Sequence, residues 1–121
     1  MKILITGSAG FIGFSMSLRL LKKNNTVIGI DNLDDYYSLK LKKKRIEILK
    51  KYKNFKFHKI DLSNKEKISI LSKYKFDIVF HFAAQPGVRY SLINPKKYHI
   101  NNVTAYINLI ENINKKNIKK I

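Results

Sequence analysis

Residues 2–13 read Lys2-Ile3-Leu4-Ile5-Thr6-Gly7-Ser8-Ala9-Gly10-Phe11-Ile12-Gly13. Ile3, Leu4 and Ile5 form the short unbroken apolar run of a strand buried on both faces, as in a parallel sheet. Gly7, Gly10 and Gly13 follow at three-residue spacing, and an amphipathic helical pattern begins at once with Phe11, Ile12, Phe14, Met16, Leu18, Leu20 and Leu21. A strand that turns on glycines into a helix aims free backbone N–H groups and the positive end of the helix dipole at one point. That point suits a phosphate. The spacing differs from the common Gly-x-Gly-x-x-Gly fingerprint, but the physical demands are shared: a tight turn, close approach by a pyrophosphate, and close helix–strand contact. Glycines serving only a βα turn would read similarly, and the strand before and helix after favour nucleotide binding.

Working outward, Thr26-Val27-Ile28-Gly29-Ile30 is a second buried strand, closed by Asp31. A carboxylate there suits hydrogen bonding to both hydroxyls of an adenosine ribose and repels a 2′-phosphate, which favours NAD over NADP. Residues 31–37 have loop composition, and Ser38 is placed to cap a helix over Leu39 to Tyr52 with Leu39, Ile46 and Leu49 inward and lysines outward. Phe55 to Ile60 reads as a third strand and Ser63 to Tyr74 as a short helix with Ile68 and Leu71 inward. Phe76 to Phe82 is a fourth strand running into Ala83-Ala84-Gln85-Pro86-Gly87. Small residues there let a flat ligand lie against the backbone at the switch point of an open sheet. After a loop, a long helix spans about Asn94 to Lys116, and Ile118 to Ile121 starts a fifth strand. Alternating strands and helices predict an α/β fold: a Rossmann-like, doubly wound parallel sheet with right-handed crossovers, cut at the start of its fifth strand. The 121 residues make one domain at most.

The net charge of +17 invites a nucleic-acid reading. The excess is mostly lysine scattered over several predicted helices, with Arg19, Arg45 and Arg89 the only arginines. The chain is equally heavy in Asn and Ile, as an AT-rich coding sequence would make it, so solvated surface is the expected role and no nucleic-acid partner is assigned. There is no cysteine, which excludes disulfides and thiolate metal sites. His58, His81 and His99 lack metal-ligand spacing; His81 is expected as a hydrogen-bonded histidine in or near the core. No apolar run approaches the roughly 20 residues of a membrane span, and no leader pattern precedes the first strand. A cytoplasmic protein without a membrane partner is the expectation.

Taken together, Thr6 to Gly13, Asp31-Asn32-Leu33, Asp61-Leu62 and His81-Phe82-Ala83-Ala84-Gln85 resemble the extended short-chain dehydrogenase/reductase family, which includes nucleotide-sugar epimerases and dehydratases. Asp34-Asp35-Tyr36-Tyr37 with Leu41, Lys42 and Arg45, and Ala84 to Ser91, are similar to UDP-glucuronate 4-epimerases in particular. Asn94-Pro95, Tyr98, Asn102, Asn108 and Glu111 match the family's following helix. Pro86 and Ala105 depart from it, standing where an alanine and a glycine are usual. The resemblance implies that Gly7, Gly10, Phe11, Ile12 and Gly13 hold an NAD pyrophosphate, that Asp31 and Asn32 take the adenosine ribose with Lys42 reaching the same end, and that Asp61 and Leu62 flank the adenine. Ala83, Ala84 and Gln85 line the nicotinamide side, and Asn102 braces that wall. Gln85, Arg89 and Ser91 border the sugar, with Arg89 a substrate contact or a loop anchor.

The family's reaction is reversible oxidation at C4 of a UDP-hexuronate, with a tyrosine as proton acceptor and NAD as hydride acceptor. Its catalytic Ser or Thr follows the fifth strand, and its Tyr-x-x-x-Lys lies on the next helix. The spacings Tyr36 to Lys40 and Tyr52 to Lys56 occur here in the wrong places, Tyr36 at the adenosine end. The expectation is therefore an incomplete amino-terminal part of an epimerase, without a catalytic residue or a substrate domain. Such a chain would have no turnover, an exposed sheet edge and marginal stability; its full-length parent is a possible homodimer. Other nucleotide-sugar epimerases, 4,6-dehydratases and a stand-alone NAD-binding module are the competing readings.

Overall fold

The structure is a computed structural model describing residues 1–113 and 118–121. Its frame is a sheet of four parallel strands: β1 (Lys2–Thr6), β2 (Thr26–Asp31), β3 (Phe55–Lys59) and β4 (Ile78–His81), in the order β3-β2-β1-β4. The apolar run chosen from sequence is the centre of that sheet. Leu4 pairs in register with Ile28 on one side and with Val79 on the other. Residues 118–121 lie beside β4 as the fifth-strand reading expects: the Lys119 N–H donates to the Asp77 carbonyl (2.8 Å) and the Val79 N–H to the Lys120 carbonyl (3.0 Å).

Successive side chains of β1 feed two separate cores. Ile3 and Ile5 pack with Leu21 of α1 (Phe11–Lys22) and with Ile46 and Leu49 of α2 (Leu39–Lys50). Leu4 packs on the opposite face with Ile68 of α3 (Lys65–Ile68), Leu71 and Phe76, and with Leu109 of a later helix. Burial on both faces explains why this strand reads as a continuous apolar run and not as an alternating one. The chain winds outward from β1 to β3, then crosses back to β4 on the far side of β1. The carboxyl ends of β1 and β4 therefore flank a switch point, where an open sheet leaves a crevice.

Several elements differ from the sequence reading. α1 buries Gly13, Ser17 and Leu21, a narrow stripe of mostly small residues, while Phe11 and Ile12 are 74% and 60% exposed. Lys42 is not on the solvent face of α2: it is 6% exposed, in line with the buried Ile46 and Leu49. Ser38 does cap α2, its hydroxyl accepting from the Leu41 N–H (3.3 Å). The helix expected over 63–74 is a single α-turn capped by Asn64, followed by a tighter turn over 69–73. The segment expected as a loop before Asn94 contains α4 (Val88–Ile93). The long helix is α5 (Pro95–His99) and α6 (Ala105–Asn112), joined by a wider π-type turn over Ile100–Thr104. The end of that helix, expected to reach Lys116, lies outside the described residues.

Candidate cofactor site

Chemistry at the switch point begins with the glycines. Gly7 has φ of +68°, and a Cβ on it would stand 2.8 Å from the Ala83 nitrogen and the Phe82 carbonyl carbon. Only glycine lets the loop after β1 lie directly on the backbone leaving β4. Gly13 lies so close to the loop that a Cβ would overlap the Gly7 carbonyl oxygen, which fixes α1 against the strand end. Gly10 caps α1 without a side chain, and among the described residues no acceptor meets the N–H groups of Phe11, Ile12 and Gly13. These are the unpaired donors of a helix start, and they face a cleft of about 400 Å³ lined by Gly7, Gly10, Phe11, Ile12 and Gly13.

Beside the glycine loop, Asp31 is 7% exposed, and both its carboxylate oxygens accept from backbone. Its Oδ2 accepts from the Ala9 N–H (3.0 Å) and its Oδ1 from the Leu33 N–H (2.8 Å). The carboxylate thus ties the glycine loop to the loop after β2, and each oxygen keeps a lone-pair direction for a ligand hydroxyl. Asn32 Oδ1 accepts from the Asp34 N–H (3.0 Å). Lys42 donates from Nζ to the Asp34 carbonyl (2.6 Å), with the ammonium 4.6 Å from the Tyr37 ring centroid. Burial of this lysine is sustained by those partners. Arg45 spans the same loops, donating to the Ala9 carbonyl (3.1 Å) and the Tyr37 hydroxyl (3.3 Å).

The floor comes from the turn after β3. Asp61 Oδ1 accepts from the Ser63 N–H (2.9 Å) and hydroxyl (2.7 Å), and Leu62 is buried. Asn108, buried on α6, donates to the Leu62 and Ser63 carbonyls (3.0 and 3.1 Å) and pins this turn. At the β4 end, the Thr6 hydroxyl accepts from the Ala83 N–H (3.1 Å) and shares a 2.7 Å hydrogen bond with His81 Nδ1. With the hydroxyl proton directed at Nδ1, the imidazole carries its own proton on Nε2. Burial holds the His81 pKa below its ordinary value, which keeps the ring neutral in that role. The sequence reading of His81 as a hydrogen-bonded histidine agrees with this. Among the described residues no cluster of three or more His, Asp or Glu side chains could hold a metal ion.

Gln85 is buried and gripped by two successive asparagines. Its N–H donates to Asn102 Oδ1 (2.7 Å), its carbonyl accepts from Asn102 Nδ2 (3.4 Å), and its Oε1 accepts from Asn101 Nδ2 (3.2 Å). Both asparagines stand in the π-type turn. Such a turn adds a residue to the helical circuit, and π-turns often mark functional positions.

Of the residues singled out from sequence, Asp31, Asn32, Lys42, Asp61, Leu62, Ala83, Ala84 and Gln85 line the same cleft as the glycine loop. Asn102 stands behind the lining and braces Gln85. Arg89 and Ser91 lie on α4 outside the lining; Arg89 is exposed and the Ser91 hydroxyl donates to the Val88 carbonyl (2.5 Å). Tyr36 needs a correction: it does not stay at the adenosine end but reaches over to pack on Tyr90, ring centroids 5.2 Å apart. No hydrogen bond links it to Lys40 among the described residues. Asp34, Tyr36, Tyr37 and Asn101 line the cleft without having been assigned to it. Their residue types are common in loops and caps, and only the fold brings them here.

The donors and acceptors fit a dinucleotide: open helix N–H groups for a pyrophosphate, a buried carboxylate for ribose hydroxyls, and apolar and small residues for flat rings. Comparison with known proteins agrees with that fit. A family profile described as GDP-mannose 4,6 dehydratase matches residues 4–121. A UDP-glucuronate 4-epimerase of Thermodesulfobacterium geofontis (strain OPF15) is 44% identical over 119 residues, covering 98% of this chain and 37% of that protein. A crystal structure of UDP-glucuronic acid 4-epimerase from Bacillus cereus, in complex with UDP-glucuronic acid and NAD, is similar with a TM-score of 0.88 and 36% identity. It is matched over 98% of this chain and 38% of that one. The UDP-Glc/GlcNAc 4-epimerase of Campylobacter jejuni is 42% identical with a TM-score of 0.78, over 92% of this chain and 32% of that one. The chain spans about a quarter to two fifths of the length of the UDP-glucuronate epimerases it matches.

Proposed function

This chain belongs to the GDP-mannose 4,6-dehydratase family of NAD-dependent epimerases and dehydratases, and from that membership we propose that residues 1–121 form the NAD-binding part of a UDP-glucuronate 4-epimerase. The observation that carries this reading is the cleft itself. The open N-terminus of α1 and the buried Asp31 carboxylate face one space, bounded on its far side by Ala83 to Gln85. Similarity over 98% of the chain to a UDP-glucuronate 4-epimerase supports the substrate class.

When bound, NAD supplies a reversible hydride acceptor for C4 of the sugar. The residues of this chain bind and orient. The N–H groups of Phe11, Ile12 and Gly13 take the pyrophosphate; Asp31 takes the ribose, with Asn32 and Lys42 shaping that end. Asp61 and Leu62 would flank the adenine, while Ala83, Ala84 and Gln85 would line the nicotinamide side. Gln85, Arg89 and Ser91 border the sugar of a UDP-hexuronate.

On this reading these residues hold the cofactor and the chain alone does not turn the sugar over; among the described residues Tyr36 has no hydrogen bond to Lys40, and Tyr52 and Lys56 do not line the cleft. No helix among the described residues is long and apolar enough to cross a membrane, and a cytoplasmic role without nucleic acid fits the nucleotide-sugar chemistry. A second reading, another nucleotide-sugar epimerase, is favoured by the 42% identity to the Campylobacter jejuni protein. Two assays test the proposal. Calorimetric titration should show saturable NAD binding, and incubation with UDP-glucuronate and NAD should give no UDP-galacturonate. Absence of NAD binding removes the first claim; measurable turnover removes the second.

A further inference from the structure

The loop after β2 and the segment after β4 touch across the mouth of the cleft. Asp34 Oδ2 pairs with Lys97 Nζ at 3.0 Å, both side chains about three-quarters buried. Tyr36 packs on Tyr90, and its hydroxyl sits against Gly87 (φ +96°), where any Cβ would overlap it. Lys97 Nζ also lies 5.7 Å from the Tyr90 ring centroid, so ion pair and rings form one cluster.

Both sides are held by their own backbones. The Asp34 carbonyl accepts from Lys42 Nζ, and Asp34 Oδ1 accepts from the Tyr36 N–H (2.8 Å). The Lys97 N–H donates to Asn94 Oδ1 (3.0 Å) at the cap of α5. Asp34 and Tyr36 line the cleft; Lys97 and Tyr90 do not. The contacts therefore join a loop that lines the cleft to the segment that follows the Ala83–Gln85 wall.

We propose that Asp34–Lys97 and Tyr36–Tyr90 form a clasp that closes the two loops over a bound dinucleotide, and that its opening sets the rate of cofactor release. The proposal rests on the NAD-binding reading above. It gives that reading a kinetic consequence: a cofactor that returns its hydride to the same sugar must outlast the catalytic cycle. Burial pushes the Asp34 carboxyl up, but the Lys97 and Tyr36 hydrogen bonds outweigh it and hold the group below its ordinary value. The pair is thus charged, and it is shielded enough for its attraction to exceed that of a fully exposed pair.

The test is stopped-flow displacement of NADH from the 121-residue chain by excess NAD, read by fluorescence. Lys97→Ala and Tyr90→Ala, both outside the cleft lining, should each release NADH about fivefold faster, equivalent to about 1 kcal/mol. Lys97→Arg should restore slow release. Thermal unfolding alongside identifies any variant whose effect is loss of fold. Unchanged release in both folded alanine variants overturns the clasp and leaves cofactor binding intact. Failure of the parent chain to bind NADH overturns the cofactor reading, and the clasp with it.

Discussion

Replacing Asp31 by alanine should damage the fold and the site together, in amounts the structure sets. In the parent, the carboxylate accepts from the N–H of Ala9, which is fully buried, and from that of Leu33, which is partly buried. Alanine leaves both donors without a partner. An orphaned buried donor costs about 1–3 kcal/mol, and the partly exposed one less because water can reach it, so the loss is about 2–4 kcal/mol. For a chain of this length each kcal/mol lowers Tm by about 3–5 °C, so the midpoint should fall by about 10 °C. Cofactor affinity, measured by calorimetry well below that midpoint, should fall roughly tenfold to a hundredfold, the worth of a charged hydrogen bond to the ribose. Asp31→Asn keeps one acceptor but points an amide N–H at a backbone donor, and should lie between parent and alanine in both readouts. An alanine variant that melts within about 2 °C of the parent, or binds NAD equally well, would refute the double role of this carboxylate.

Gly13→Ala should be worse for its size than any surface change. Its Cβ would meet the Gly7 carbonyl, so α1 must move off the loop at a cost of about 3 kcal/mol or more; loss of soluble protein or of NAD binding checks it. Stability should also depend on pH through His81 and His58. Burial lowers both native pKa values, aided at His58 by the neighbouring Lys56 charge. The unfolded chain therefore binds more protons as pH falls through about 6.5, and stability should be flat above that value and decline below it. Denaturant melts between pH 5 and 8 would show this, and substituting both histidines with glutamine should flatten the slope.

Much of the fold was legible because its decisive signals are local. A buried central strand must be apolar throughout, and three glycines at fixed spacing have few uses, so β1 and the cradle could be read from residues 2–13 alone. Other features depend on partners distant in sequence. Lys42 reads as solvent-facing because periodicity counts every lysine as polar; its place among Ile46 and Leu49 depends on the Asp34 carbonyl and the Tyr37 ring. α4 escapes because six residues between Pro86-Gly87 and Asn94-Pro95 are too few to show a period, and they bury none of their side chains. The π-type turn has no sequence signature, yet it brings Asn101 to the cleft beside Asn102. Tyr36 crossing to Tyr90 is a tertiary event that no spacing encodes.

The most direct test of the central claim is calorimetric titration of the purified 121-residue chain with NAD and, separately, with NADP. The account predicts saturable one-to-one binding of NAD in the micromolar range, with NADP at least about tenfold weaker because its 2′-phosphate meets the Asp31 carboxylate. No heat of binding with NAD, or equal affinity for the two dinucleotides, would contradict it.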